Sequence, residues 1–428
     1  MSETHYRKFN RFIDIAFLLA FSISYASLIK YILYAFFPLS EALQRFLFLC
    51  LLYLIRFKNK PVSRKCYDKS LLQVLVCLFL WEILQGLLRG VDINATLVVL
   101  INLLAGLVGL KYMSSLVNED NGFNKLITPN SYYALYTFCS ITLLVLLILV
   151  GVFTPYSNPM TYNSMLAANM EDGVSYFFPV YLSVVYQSPS VFMAFLGIPS
   201  FSGLSHESQA MYYTICPALF LMFYKYRLVK NIDYKILLLF GICTLFTASF
   251  TAMVSFSVTF VIHMIWKSRT SYKKNTTYLS LIAIGGLLAI LISSSVFQSY
   301  AEAKLVHDTN HSSAGYSLAL INYILSPNSL LGEGILSSVS DQVNEFAGSC
   351  GYISSFLIIL FLVVFIHRTI KSVFSRNQMC HSIGLASLYF ILHSMKYGIA
   401  LFNSTYVFFI VILLSYSEYI RKNKYYEG

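Results

Sequence analysis

Apolar residues along this chain fall into long runs separated by short polar stretches. Runs close to the ~20 residues that cross a bilayer predict membrane helices. They lie at about 12–37, 41–55, 70–88, 93–113, 131–152, 208–224, 276–296, 349–366, 381–399 and 403–420. Residues 236–266 form 31 nearly continuous apolar positions, too many for one ordinary helix. A tight turn near Thr247–Thr251 divides them into two short helices, for twelve spans in all. The first run exceeds a signal-peptide core and lacks a small-x-small cleavage site, so it reads as a retained helix. Segments of about ten residues with alternating hydrophobicity, the mark of a membrane barrel, are absent. Backbone groups in lipid must be satisfied within their own segment, so the expected class is an all-α integral membrane protein.

Composition agrees. Of 428 residues, 57% are hydrophobic and 11% charged, with a mean hydropathy of +0.66, whereas soluble domains are about 25% charged. The net charge of +11 does not point to nucleic acid, because the basic residues sit in short clusters between spans. The stretch 56–69, RFKNKPVSRKCYDK, is the most basic and marks the cytoplasmic side. With both termini on that side, 25 of the 30 Lys and Arg residues fall there. The exceptions are Lys30, Arg45, Arg89, Lys304 and Lys396. The eight cysteines are scattered, with no metal spacing and no disulfide framework.

This topology makes one polytopic unit, 1–428, with two large outward loops at 153–207 and 297–348. Residues 177–198 are apolar enough to span, but a span there would invert every later loop against the charge rule. They are read as an interfacial or re-entrant segment, suited by Pro179, Pro189 and six aromatic residues. Long loops are uncommon unless they carry function. The first closes on Ser205-His206-Glu207-Ser208 at the mouth of a helix. His206 or Glu207 could serve as a general base. Both are read more simply as part of a helix cap, since Ser205 is a good N-cap and a carboxylate suits the first turn.

The second loop carries Lys304, His307, Asp308 and His311. Two histidines without a partner motif read as loop residues rather than a metal pair, which leaves Lys304, His307 and His311 as candidate substrate-binding groups. Arg45, Arg89 and Lys396 lie in or at the outer ends of spans, where a cation is costly and faces an internal cavity. They would suit an anionic lipid headgroup such as a diphosphate, or else form structural ion pairs, for example with Glu82 or Glu41. Asp14 and Lys30 lie near helix ends and read as snorkelling. No internal repeat is visible, which argues against a transporter built on duplicated halves.

Two segments together resemble the O-antigen polymerase (Wzy-type) branch of the polymerase/ligase superfamily. The first, SYFFPVYL…GIPSFSGLSHESQAMYY, is similar to the family's aromatic-proline opening and Gly-x-x-x-Glu-[Pro/Ser] element, with Gly203 and Glu207-Ser208 in place. The second, AGYSLALINYILSPNSLLGEGILSS…DQVNEFAGSCGYISSFLIIL, carries a Leu-Gly-x-Gly turn at 331–334, Asn344 and a Gly-led return helix at Gly351. Departures exist. Ile198–Ser200 holds no Arg, Ser249-Phe250 stands where Ser-Arg is common, and Val343-Asn344 replaces the ligases' His-Asn. The last of these favours polymerase over ligase.

The resemblance implies a metal-independent, cofactor-free glycosyltransferase in a bacterial inner membrane, working at the periplasmic face. It would move a growing glycan from undecaprenyl diphosphate onto the next lipid-linked repeat unit. Glu207 or His206 would act as base, and Arg45, Arg89, Lys304 and Lys396 would hold the diphosphate. A chain-length regulator is an expected partner. An O-antigen ligase is the nearest alternative. A lipid-linked oligosaccharide flippase is another, with short outward loops and charges along a central cavity.

Overall fold

The computed structural model describes residues 3–22, 41–57, 67–90, 93–119, 121–151, 176–177, 184–186, 200–203, 208–225, 250–270, 321–333, 349–394 and 405–423. These residues are helical apart from turns and three short strands. The helices are α1 (Glu3–Ser22), α2 (Glu41–Phe57), α3 (Lys69–Arg89), α4 (Ile93–Val117), α5 (Gly122–Leu149), α6 (Ser208–Lys225), α7 (Phe250–Thr270), α8 (Tyr352–Val373), α9 (Gln378–Ser394) and α10 (Thr405–Asn423). Among the described residues, α3, α4 and α8 are long and apolar enough to cross a membrane. The anticipated helix pair across 236–266 is seen in its second member, α7; residues 226–249 lie outside the described residues, as does the 276–296 run.

α10 sits at the centre and packs against α1, α3, α4, α8 and α9. Its residues Tyr406–Leu414 are all buried, as expected of a helix that is apolar all round. α6 and α9 form a second buried pair, flanked by α5, α7 and α8. Close approach to α4 is permitted by Gly106 and Gly109. A Cβ at those positions would lie 2.5 Å from the Phe408 ring and 2.2 Å from the Phe21 ring. Small residues at such crossings let helix backbones meet without a side chain between them.

The exterior is apolar and the interior holds charge, the reverse of a soluble protein. Leu47, Leu51 and Leu54 on α2, Leu80, Leu84 and Leu87 on α3, and Phe356, Val363 and Ile370 on α8 are exposed. Asp14, Arg56, Glu82, His263, His381 and Glu418 are buried. An exposed apolar surface that covers several long helices is what lipid contact requires.

Side-chain contacts gather alternate helix ends at two poles. At one, Asp14, just past the middle of α1, meets Arg56 at the end of α2, and Arg56 meets Glu119 just beyond α4. Phe123, at the start of α5, packs against Tyr224 at the end of α6 and Tyr416 near the end of α10. Asp68, which caps α3 through Ser70 N (3.0 Å), pairs with Lys422 of α10 and lies 3.6 Å from Arg368 late in α8. At the other pole the end of α3 meets the start of α8. Tyr213 early in α6 donates to His393 O late in α9 (3.3 Å). Basic residues concentrate at the first pole, hereafter the basic pole. The second is the loop pole.

A small antiparallel sheet lies by the loop pole, made of β1 (Tyr176–Phe177), β2 (Val184–Tyr186) and β3 (Ser200–Gly203) in the order β1-β2-β3. The β2–β3 register shifts between Val184 and Val185. β3 contacts both α5 and α6. Part of the 177–198 segment, expected at an interface, is therefore strand.

Candidate functional site

Glu82 and Gln85 interrupt the apolar half of α3 nearer the loop pole at i and i+3, so they share one face. Both are buried, Gln85 to 1% exposure. A buried amide must find partners or carry a desolvation cost. Gln85 finds them in a turn of the second resemblance segment. Its Nε2 donates to the carbonyls of Leu331 and Cys350, the latter at 3.1 Å. Its Oε1 accepts from Ser354 Oγ at 2.9 Å. Ser354 Oγ in turn accepts from Trp81 Nε1 at 2.8 Å. One side chain of α3 thus clasps both arms of the turn and the first turn of α8.

The arms cross backbone on backbone at two glycines. Gly332 has φ 56° and Gly351 φ 87°, conformations that L side chains adopt only with strain. A Cβ on Gly332 would fall 1.9 Å from Gly351 N, and one on Gly351 would fall 2.4 Å from Gly332 N. Backbone bonds close the knot: Glu333 N to Ser349 O (2.7 Å), Cys350 N to Tyr323 O (3.1 Å) and Tyr352 N to Ser329 O (3.0 Å). Ser349 Oγ donates to Asn328 Oδ1 (2.5 Å) and accepts from Asn328 N (3.1 Å). The Cys350 side chain is fully buried beside the knot.

Of the residues proposed from sequence, Arg45 and Arg89 fall within the description. Arg45 is half-buried in the first turns of α2, and Arg89 is the exposed last residue of α3. Gly90 (φ 64°) closes α3 directly after it. Both arginines lie toward the loop pole, but on separate helices. His206 and Glu207 lie between the end of β3 and the start of α6, and Lys304, His307, His311 and Lys396 lie elsewhere; all six are outside the described residues. Of the two motifs, the glycines at 332 and 351 meet each other, and the strand of the first motif, β3, adjoins α6. The clasp residue Gln85 was missed. The signal for it is a neutral polar side chain in the interior of an apolar run, one helical turn from the buried Glu82.

The basic pole holds a second constellation. Arg56 Nε lies 3.0 Å from Asp14 Oδ1, and Arg56 Nη2 lies 2.8 Å from both Glu119 oxygens. Tyr112 donates to Asp14 at 2.6 Å, and Lys125 reaches Glu119 at 3.0 Å. Asp14, expected to snorkel, is instead buried and paired: its partner comes from α2, beyond the reach of local sequence reading. Asp14, Arg56, Glu119 and Lys125 border a cavity of about 1200 Å³ that Arg7, Arg11 and Asn124 also line.

Nearby, His381 Nδ1 lies 2.5 Å from Val373 O, and a carbonyl only accepts. Nδ1 therefore carries the proton, and the neutral ring's Nε2 accepts from His263 Nδ1 at 3.0 Å. Trp266 stacks on His381 at 3.9 Å. Among the described residues no group of three His, Cys, Asp or Glu is arranged to hold a metal.

No family model, curated protein or solved structure matches the chain.

Proposed function

We propose that the chain is a multi-pass membrane glycosyltransferase of the O-antigen polymerase type, with its chemistry at the loop pole. Twelve spans, cytoplasmic termini and two large periplasmic loops belong to this reading, as does a bacterial inner-membrane location. The observation that carries it is the turn at Leu331–Glu333 and Gly351. Two glycines far apart in sequence, both in the resemblance segment, form one knot that Gln85 fastens to a membrane helix. Such a knot gives a large outward loop a fixed root, and a site that must align two lipid-linked oligosaccharides needs rigid supports.

The reaction follows from the groups proposed. The acceptor hydroxyl attacks the anomeric carbon of the donor, the bond from that carbon to undecaprenyl diphosphate breaks, and the hydroxyl proton passes to Glu207 or His206. Arg45, Arg89, Lys304 and Lys396 supply cations for the departing diphosphate, with His307 and His311 as further contacts. A lipid diphosphate is a good leaving group, so no metal is demanded. A chain-length regulator is the expected protein partner.

The experiment is a reconstitution. Purified protein in detergent, given undecaprenyl-diphosphate repeat units, is expected to yield products of two or more units and free undecaprenyl diphosphate. Release of neither would refute the reading. A second reading, transport of lipid-linked oligosaccharide, is favoured by the charged cavity of about 1200 Å³ at the basic pole. It predicts movement of the lipid-linked unit across vesicle membranes without any longer product.

A further inference from the structure

A groove of about 550 Å³ opens between α3 and α4 near the basic pole. Its walls are apolar: Leu72, Val76 and Cys77 from α3, Leu107 and Leu110 from α4. Its polar end is cationic. Lys69 begins α3, Lys111 lies opposite on antiparallel α4, and both are exposed; Ser114 and Ser115 lie one turn further on. The acidic residue next in sequence, Asp68, is turned away onto Lys422 and the Ser70 N–H. Lys111 lines the groove, and its Nζ lies 5.3 Å from the Tyr53 ring centroid on neighbouring α2, an attraction that an entering phosphate would replace. From Lys69 to Cys77 the groove runs on the order of 12 Å along the helix, enough for a glycerol backbone and the upper part of an acyl chain.

We propose that this groove binds one anionic phospholipid from the leaflet that the basic pole faces. The phosphate lies between Lys69 and Lys111, the Ser114 hydroxyl donates to one of its oxygens while that of Ser115 donates to Lys111 O (3.0 Å), and an acyl chain lies along Leu72, Val76 and Leu107. Charge complementarity chooses the occupant. Two cations and a hydroxyl with no carboxylate turned toward them favour an anionic headgroup, while the apolar wall excludes a freely soluble anion as the natural ligand. The site serves the scaffold, since it joins the two helices that Phe408 of α10 meets, α4 at Gly106 and α3 at Phe79.

The test uses the full-length protein purified in a mild detergent and probed by native mass spectrometry with phosphatidylglycerol and phosphatidylcholine. Wild type is expected to retain phosphatidylglycerol preferentially. Lys69→Gln/Lys111→Gln should lose that preference by roughly thirtyfold, at about fivefold per lysine. Lys371→Gln, an exposed lysine on α8, should leave it intact. Val76→Trp, which fills the apolar wall and keeps both charges, should also lower retention. Excess inorganic phosphate should not displace the lipid. Equal retention of the two lipids by wild type would overturn the proposal. So would undiminished phosphatidylglycerol binding by either the double variant or Val76→Trp, or displacement by inorganic phosphate.

Discussion

Replacing Gln85 with leucine would leave the buried carbonyls of Leu331 and Cys350 and the Ser354 hydroxyl without their amide partner. Such losses cost about 2–3 kcal/mol. The thermal midpoint of detergent-solubilised Gln85→Leu should fall by a few degrees; an unchanged midpoint would mean the amide is not the clasp described. At the basic pole, Asp68 offers a pH-dependent counterpart. Burial pushes its carboxyl up, but hydrogen bonds from Lys422 and from the Ser70 N–H and hydroxyl, with the Lys422 charge, outweigh burial and lower it to about 2. A depressed folded-state value stabilises above the ordinary carboxylate range near ~3.9 and loses that stabilisation as pH falls through 2. Asp68→Asn should therefore be less stable than wild type at pH 6, and the gap should narrow as pH drops below about 4. Lys422 is half exposed, so the gap should also shrink in high salt. A gap constant across that range would contradict the assignment.

The helices show which features a sequence carries and which it cannot. The run at 70–88 became α3 at Lys69–Arg89, and that at 93–113 became α4 at Ile93–Val117. Hydropathy locates lipid-length segments well because the bilayer imposes their length. It marks the span and not the helix, so α1 and α5 begin about nine residues before their apolar runs, in polar turns at the basic pole. The glycine knot was legible as a motif, Leu331-Gly332 with Gly351, but not as a contact, since nothing local says that two turns nearly twenty residues apart must cross. Asp14–Arg56 and His263–His381 were illegible for the same reason: each pair joins different helices. The knot makes its own prediction. Gly351→Ala combines a φ of 87° with a Cβ inside the neighbouring backbone, and should cost about 2 kcal/mol or more. Cys350, fully buried in wild type, should then react with a membrane-impermeant maleimide added from the loop side. Continued protection would show that the turn tolerates a side chain there.

At the scale of the molecule, an apolar exterior surrounds a core that holds paired charges, and alternate helix ends meet at a basic pole and a loop pole. That arrangement gives physical content to the charge asymmetry read from sequence: basic residues gather where helices α2, α7, α8 and α10 end. The pole with fewer cations keeps a few, Arg45 and Arg89 among them, and there a cation needs a reason. Under the proposed function that reason is a lipid diphosphate. The most direct test is a lipopolysaccharide gel from a strain lacking this protein, complemented with wild type, Glu207→Ala or Arg89→Ala at matched membrane levels. A polymerase gives core carrying a single repeat unit in the deletion, a full ladder with wild type, and a shortened or absent ladder with each variant. Loss of even the single unit in the deletion would contradict polymerisation and point to ligation or transport.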